Sequence, residues 1–379
     1  MSRNLVAAAL LALAPSGALA ADAFPPSAPI ALMVDLSSGR VLYSREADRR
    51  FLPASLTKIM TAYVAFDLID GGRLDEGKVV RVPAAIAAEW NGKGTSMYLK
   101  AGEDVRVDDL LRGIVTASAN DACVVLAQAV SGDVSGFTRL MNAKARELGL
   151  KRSHFGTPNG WPDGGRTYVS ASDLVVLSAA LIERHPVLYR RYFGKAAMDW
   201  NGVSLRNHNP LYGATAGADG VKTGHTNEAG YNFVGTAERD GRRVLMVIGG
   251  SPSEALRRDE SRAFIEWAFA AWEGRRLFGK GDIVGKARVQ GGASRSVPLA
   301  APRALFVSMP KGTKPHYDLA IRYAGPIAAP LREGQQVGQL VVRMDGAPPV
   351  LLPLVAGANV AAANAPQRLW NGLMDLAGL

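Results

Sequence analysis

Ser55-Leu56-Thr57-Lys58 sets a hydroxyl and an amine three residues apart at the start of a predicted helix, so both side chains meet on one face. A serine alcohol attacks a carbonyl well only when a base removes its proton as the bond forms, and a lysine can be that base only when neutral. Burial, a second cation and the positive end of a helix each lower a lysine pKa. Alone, the pair is equally an ordinary solvated helix surface. Two clusters downstream change its weight. Lys222-Thr223-Gly224 stands at a predicted strand edge, where Lys222 adds positive field, Thr223 binds a carboxylate and the small Gly224 lets an extended peptide pair with the strand. Read blandly, it is a turn with an exposed lysine. In Ser118-Ala119-Asn120, Ser118 can relay protons between Lys58 and Lys222 while the Asn120 amide holds a substrate backbone. Asn120 or Asp121 is also a plausible cap for the apolar helix starting at Ala122.

These residues need a scaffold. Ile30 to Leu36 and Arg40 to Ser44 read as a hairpin around Ser37-Ser38-Gly39. Pro53 suits a first helical turn, and Leu56, Ile59, Met60, Tyr63 and Val64 follow at helical spacing. From about Asp108 to Leu181 the pattern is mainly helical, broken by loops such as Thr157-Pro158-Asn159-Gly160. Three antiparallel strands follow: a run through Lys222, then Tyr231 to Glu238 and Arg243 to Gly250 about an Asp240-Gly241 turn. A helix from about Ser253 to Glu273 carries Phe264, Trp267, Ala268 and Trp272 on its apolar side. This order gives an α+β fold, in which the two N-terminal strands join the three later ones in an antiparallel sheet covered by helices. Residues 21–278 form that domain. Residues 279–356, rich in Gly, Pro and Val, read as a small all-β domain, and 357–379 as an Ala/Asn-rich linker with a terminal helix.

Both termini speak to location. Arg3, the apolar run Leu5 to Ala14, the breakers Pro15 and Gly17, and Ala18-Leu19-Ala20 form a signal-peptide pattern over residues 1–20. The run is too short to cross a bilayer, which takes about 20 residues. Removing it deletes one charge, Arg3, and takes the formal net charge from +10 to +9. A basic exported protein suits anionic membranes or cell-wall polymers; nucleic acid is disfavoured by export and by the lack of a dense basic patch. The single cysteine, Cys123, excludes an internal disulfide and sits in an apolar run as a packed thiol. At the C-terminus Leu369, Trp370, Leu373 and Met374 lie along one side of a helix. It either rests in a membrane interface or docks on its own protein. The expected location is periplasmic, held peripherally on the outer face of the inner membrane. The five histidines (His154, His185, His208, His225 and His316) have no metal-ligand spacing, so no metal or cofactor is expected.

Ser-x-x-Lys, Ser-x-Asn and Lys-Thr-Gly, in this order with these long gaps, resemble the penicillin-recognising serine enzymes: penicillin-binding proteins and serine β-lactamases. The surroundings narrow the likeness. Pro53 to Thr61, Ser118-Ala119-Asn120-Asp121-Ala122, and Gly220 to Thr226 with Ala229-Gly230-Tyr231-Asn232 resemble the low-molecular-mass D-alanyl-D-alanine carboxypeptidases, peptidase S11. Ala119 departs from the Gly of many relatives. The resemblance covers nearly the whole mature chain and implies a penicillin-binding/β-lactamase-like domain followed by a β-rich one. It implies that Ser55 attacks the bond between two D-alanines of a peptidoglycan pentapeptide stem, with β-lactams as covalent inhibitors. It also implies an oxyanion hole from the backbone N–H groups of Ser55 and His225, and a carboxylate contact from Arg257, with the adjacent Arg258 as the other candidate.

Four readings compete with a carboxypeptidase. A class A β-lactamase deacylates with a glutamate acting through water. Between Asn120 and Lys222 the glutamates are Glu147 and Glu183, neither in an E-x-x-x-N setting. D,D-endopeptidase and transpeptidase activities differ from trimming in substrate geometry or acceptor. A non-catalytic peptidoglycan sensor is the fourth reading, and the joint presence of Ser55, Lys58 and Lys222 argues against it.

Overall fold

Strand Ile30–Asp35 (β1) is buried at every position, the mark of a strand covered on both faces. In the computed structural model, which describes residues 26–90, 92–314 and 316–368, it lies inside a five-stranded sheet. Its other members are Arg40–Arg45 (β2), Ala218–Thr226 (β3), Gly230–Arg239 (β4) and Arg242–Ser251 (β5). The order is β2-β1-β5-β4-β3, with β1 and β5, β5 and β4, and β4 and β3 antiparallel. The expected joining of N-terminal and later strands is therefore present. Asp240 and Gly241 both take positive φ (51° and 76°), the twist that a two-residue hairpin turn requires. Strand β3 carries Lys222 and forms one edge of the sheet.

Helix Lys58–Asp70 (α1) is buried around nearly its whole circumference, from Lys58 to Phe66 without a break. An element apolar on all sides belongs in the middle of a fold. Helix Ala171–Arg184 packs on α1, β1 and β5. Helices Asn120–Ser131 (α2) and Val134–Glu147 pack on each other, and the latter reaches α1. The α+β architecture inferred from the pattern is the one observed.

The described residues divide into two compact units, 26–36 with 41–270, and 37–40 with 271–368. The second is all-β. A six-stranded sheet, centred on Ala347–Ala356, Gln336–Met344 and Ser296–Ala300, closes over a core that includes Val297, Leu299, Leu340, Leu352 and Leu354. Two boundaries differ from expectation. The last helix of the first unit ends at Ala271, and Trp272–Phe278 is a strand paired with Leu305–Pro310. Gly274 weakens a helix there, and a waiting sheet edge takes the segment instead. The Ala/Asn-rich stretch is not a free linker up to Ala363. Val360 exchanges backbone hydrogen bonds with Leu331 at 2.8 and 2.9 Å and is buried, and Ala363 N donates to Gly291 O. Asn364 then accepts from Gln367 N at 3.0 Å, a cap for a helix running through 365–368. The signal segment 1–20 and the apolar residues of the terminal helix, Leu369 onward, lie outside the described residues.

Candidate active site

Ser55 sits on a 3₁₀ turn, Ala54–Thr57, that leads into α1. Ala54 holds φ +48° immediately before Ser55, a conformation costly for a residue with a Cβ and found where surrounding structure imposes it. The constraint comes from both sides. From the sheet, Asn232 on β4, fully buried, donates to Leu52 O at 3.0 Å while accepting from Gly250 N at 2.8 Å. From the opposite side, Thr61 Oγ1 donates to Pro158 O at 2.5 Å and anchors the loop 157–160 against the turn.

Lys58 Nζ donates to Ser55 Oγ at 2.7 Å, Asn120 Oδ1 at 2.8 Å and the Asn159 carbonyl at 2.8 Å. All three ammonium protons thus have acceptors, and on losing one the amine presents a lone pair to Ser55. Burial lowers the Lys58 pKa to about 8, against the opposing pull of Cys123 and Asp121. Burial also drives Lys222 well below its ordinary range, with the Lys58 charge adding to the effect and Arg257 contributing further. Two cations in one dry pocket disfavour each other's protonation, so the proton inventory belongs to the pair.

Asn120 joins the two sides of the site. Its Oδ1 faces Lys58 and its Nδ2 donates to Lys93 O at 2.9 Å. It is the first residue of α2, so the helix begins at Asn120 and not at Ala122, its N-cap Ala119 makes no side-chain cap bond, and Asp121, inside the first turn, accepts from Ala122 N at 2.9 Å. Asp121 also accepts from Ser96 Oγ, Met97 N and Leu99 N at 2.7, 3.0 and 3.1 Å, fixing the loop before the site. Ser118 follows a π-helical turn, Gly113–Ala117, in the left-handed region (φ +62°) and is buried. Its carbonyl accepts from Thr95 Oγ1 at 2.6 Å, and among the described residues its hydroxyl bonds neither lysine. Cys123 is a buried thiol that donates to Ala119 O, and burial pushes its pKa up to about 12; it is chemically quiet.

Edge strand β3 brings Lys222, Thr223, Gly224 and His225 alongside the Ser55 turn. Lys222 Nζ donates to Thr223 O at 3.1 Å, and Thr223 is buried. A Cβ on Gly224 would sit 2.5 Å from Pro53 O and 3.1 Å from Leu56 N. The glycine therefore makes room for the Ser55 turn, a reason for its size that the sequence reading did not supply. His225 is exposed and stacks on Tyr231 at 3.9 Å between centroids. Of the two adjacent arginines, Arg257 faces inward: it is 4 % exposed, 5.6 Å above the Tyr231 ring, and paired with Glu254 at 3.0 Å. Arg258 points outward onto Asp259. Asn159, Asn232 and Asp121 were not expected as site-building residues. Asn159 acts through its carbonyl, which its residue type does not announce.

A five-stranded sheet with an edge strand beside a half-buried Ser55 bonded to the buried Lys58, with Asn120 on the same lysine, is the arrangement expected of the penicillin-recognising serine enzymes, and comparison narrows this. A family model described as D-alanyl-D-alanine carboxypeptidase (peptidase S11) matches residues 19–253, and one described as the penicillin-binding protein 5 C-terminal domain matches 272–362. The chain belongs to the D-alanyl-D-alanine carboxypeptidase family. D-alanyl-D-alanine carboxypeptidase DacA of Haemophilus influenzae is 34 % identical over 90 % of this chain and 88 % of its own length. The crystal structure of penicillin-binding protein 5 from the same organism is 33 % identical, with a TM-score of 0.72 over 89 % of this chain and 99 % of that one. Penicillin-binding protein D2 of Listeria monocytogenes, solved in a cefotaxime-bound form, is 30 % identical with a TM-score of 0.59 over 65 % of this chain and 99 % of that one.

Proposed function

We propose that this serine D-Ala-D-Ala carboxypeptidase, which takes peptidoglycan stems as substrate and β-lactams as inhibitors, works through an acyl-enzyme on Ser55 with Lys58 as base. The observation that carries the assignment is the 2.7 Å Lys58–Ser55 bond with the Lys58 pKa lowered to about 8 by burial. Lys58 accepts the Ser55 proton as Oγ bonds to the carbonyl carbon of the penultimate D-alanine. Backbone N–H groups of Ser55 and His225 receive the developing oxyanion. Lys222, Thr223 and Arg257 receive the terminal carboxylate, and the Asn120 amide holds the peptide. In this scheme Ser118 passes the proton that Lys58 took from Ser55 to the departing D-alanine amine. Water then hydrolyses the ester.

Among the described residues no carboxylate is a hydrogen-bond partner of Lys58, and Glu147 is engaged with Lys144 at 2.7 Å and Arg184 at 3.8 Å. This supports slow release of a bound β-lactam. Incubation with benzylpenicillin is expected to give a long-lived adduct mapped to Ser55 by mass spectrometry, together with D-alanine release from a pentapeptide; Ser55→Ala loses both. Rapid penicillin turnover without D-alanine release would point to a lactamase, and neither reaction to a binding protein.

Among the described residues no helix is long and apolar enough to cross a membrane. The export pattern of residues 1–20 and the apolar side of 366–379 support export followed by peripheral attachment on the outer face of the inner membrane. Deleting 366–379 is then expected to move the protein from the membrane pellet to the soluble fraction; an unchanged distribution would remove the anchor from the scheme.

A further inference from the structure

One of the three acceptors around Lys58 Nζ is a main-chain group, the Asn159 carbonyl at 2.8 Å. That carbonyl shares a peptide unit with the Gly160 N–H, which donates to Thr157 Oγ1 at 3.1 Å, so the unit is held at both ends. The Asn159 side chain adds a third hold. It is 1 % exposed, and its Oδ1 accepts from Trp161 N at 3.0 Å, closing an Asx turn over the same peptide unit. Its Nδ2 is buried and meets no acceptor among the described residues. An orphaned buried donor is a cost, so the worth of this amide lies in its acceptor end, the one that fixes the turn.

The loop is docked on the helix that carries Lys58. Pro158 O accepts from Thr61 Oγ1 at 2.5 Å, and Thr61 stands one turn beyond Lys58 on α1. Gly160 holds φ +76°, and a Cβ there would lie 1.8 Å from Ala54 O, the carbonyl just before Ser55. Successive carbonyls therefore meet α1 at Thr61 and Lys58 while Gly160 presses on the serine turn.

Counting protons shows what a fixed acceptor does for the amine. Neutral lysine keeps two N–H donors and gains one lone pair. Asn120 Oδ1 and Asn159 O, both at 2.8 Å, take those two donors, which leaves the lone pair on the direction of Ser55 Oγ at 2.7 Å. If the Asn159 carbonyl turned away, a freed N–H would compete for that direction. The ammonium would also lose an acceptor and give up its proton more readily. The charged and titratable groups acting on Lys58 come from two other elements: Asp121 and Cys123 of α2, and Lys222 of β3. The loop 157–160 carries no charge and acts through its dipoles.

We propose that the Asn159 and Thr157 side chains are positioning residues for the base: by fixing the Asn159–Gly160 peptide unit they aim the Lys58 lone pair at Ser55 and set the pH at which Lys58 becomes competent. The inference rests on Lys58 being the base for Ser55. Its test follows the rate at which a fluorescent penicillin acylates the full chain between about pH 5.5 and 10, beside a thermal melt. Asn159→Ala removes the Asx turn and keeps the carbonyl; the plateau rate is expected to fall about tenfold, with the midpoint moved down by about half a pH unit. Thr157→Val, which frees the other end of the peptide unit, should shift it the same way. Asn159→Asp keeps an acceptor for Trp161 N and sets a carboxylate near the ammonium. It should restore the plateau to within about threefold of wild type and move the midpoint up by about one unit. A merely structural role lowers the rate and leaves the midpoint where it was.

Rates that fall with unmoved midpoints overturn the proposal, as does an Asn159→Ala profile identical to wild type or displaced to higher pH. If Asn159→Ala fails to give a cooperative melt, Thr157→Val is read by the same criteria. Lys58→Ala separates this inference from the one beneath it. Wild-type acylation in that variant removes the base itself, whereas an inert Lys58→Ala beside unmoved midpoints sinks only the positioning role.

Discussion

Lys58→Ala is expected to lower the rate of penicillin acylation and of D-alanine release by about 10²- to 10⁴-fold, the range for loss of a positioned general base. The helix survives the change: α1 is held by apolar packing from Ile59 to Leu68, and alanine is the best helix former. Circular dichroism and a thermal melt would verify this beside the labelling rate. The pH profile isolates the chemistry. With Lys58 at about 8, roughly a tenth of the enzyme holds the neutral base at pH 7. Acylation should therefore climb close to tenfold per pH unit below about pH 7, more slowly toward 8, and level off above it. Stability carries the same signature. In the unfolded chain Lys58 keeps its proton up to its ordinary 10.5, whereas the native site releases it down to about 8, so the native state loses stability as pH falls through that window. Lys58→Ala removes this contribution, and the stability difference between variant and wild type should shift in the variant's favour from pH 10.5 toward 8. Unchanged acylation in the variant, or a wild-type rate flat from pH 6 to 9, would take the base role from Lys58.

The features that sequence showed best are those written in local spacing. Ser55 and Lys58 are one turn apart, so their meeting needs no tertiary knowledge. The β4–β5 hairpin is announced by Asp240-Gly241. An equally clear Asn201-Gly202 turn, with both residues at positive φ (48° and 78°), joins Ala197–Trp200 to Val203–Arg206, a hairpin that went unread between the helical stretch and the three later strands. What stayed hidden depends on the main chain or on helix phase. Asn159 holds Lys58 through a carbonyl that any residue possesses. Asn232 looks like a strand residue until its amide is seen bonding Leu52 O. Arg257 and Arg258 cannot be ranked from an i, i+1 pair, because only the packed helix shows which of them turns inward. Trp272 reads as helical by its neighbours and becomes a strand because Leu305–Pro310 offers an edge.

Gly224→Ala should slow acylation of Ser55 sharply. The added Cβ meets Pro53 O at 2.5 Å and Leu56 N at 3.1 Å, and both are backbone atoms of the turn that carries Ser55. A side chain could rotate away; these atoms move only if β3 or the turn moves. Asn232 ties the turn to β4, and β4 is paired with β3 through Gly224↔Asn232 and Lys222↔Val234, so the strain falls on the distance between Ser55 and β3. That distance sets whether the two backbone donors of the proposed oxyanion hole meet the carbonyl together. A misplacement of about 1 Å costs on the order of 10²-fold in rate. Overpacking of this kind also costs about 1–3 kcal/mol of stability, which a melt would register. The comparison of two acylating agents separates the two reasons for the glycine. If it makes room for the nucleophile turn, Gly224→Ala slows penicillin and pentapeptide alike. If it makes room for an extended peptide strand, the pentapeptide alone suffers, chiefly in KM, and penicillin labels Ser55 at the wild-type rate.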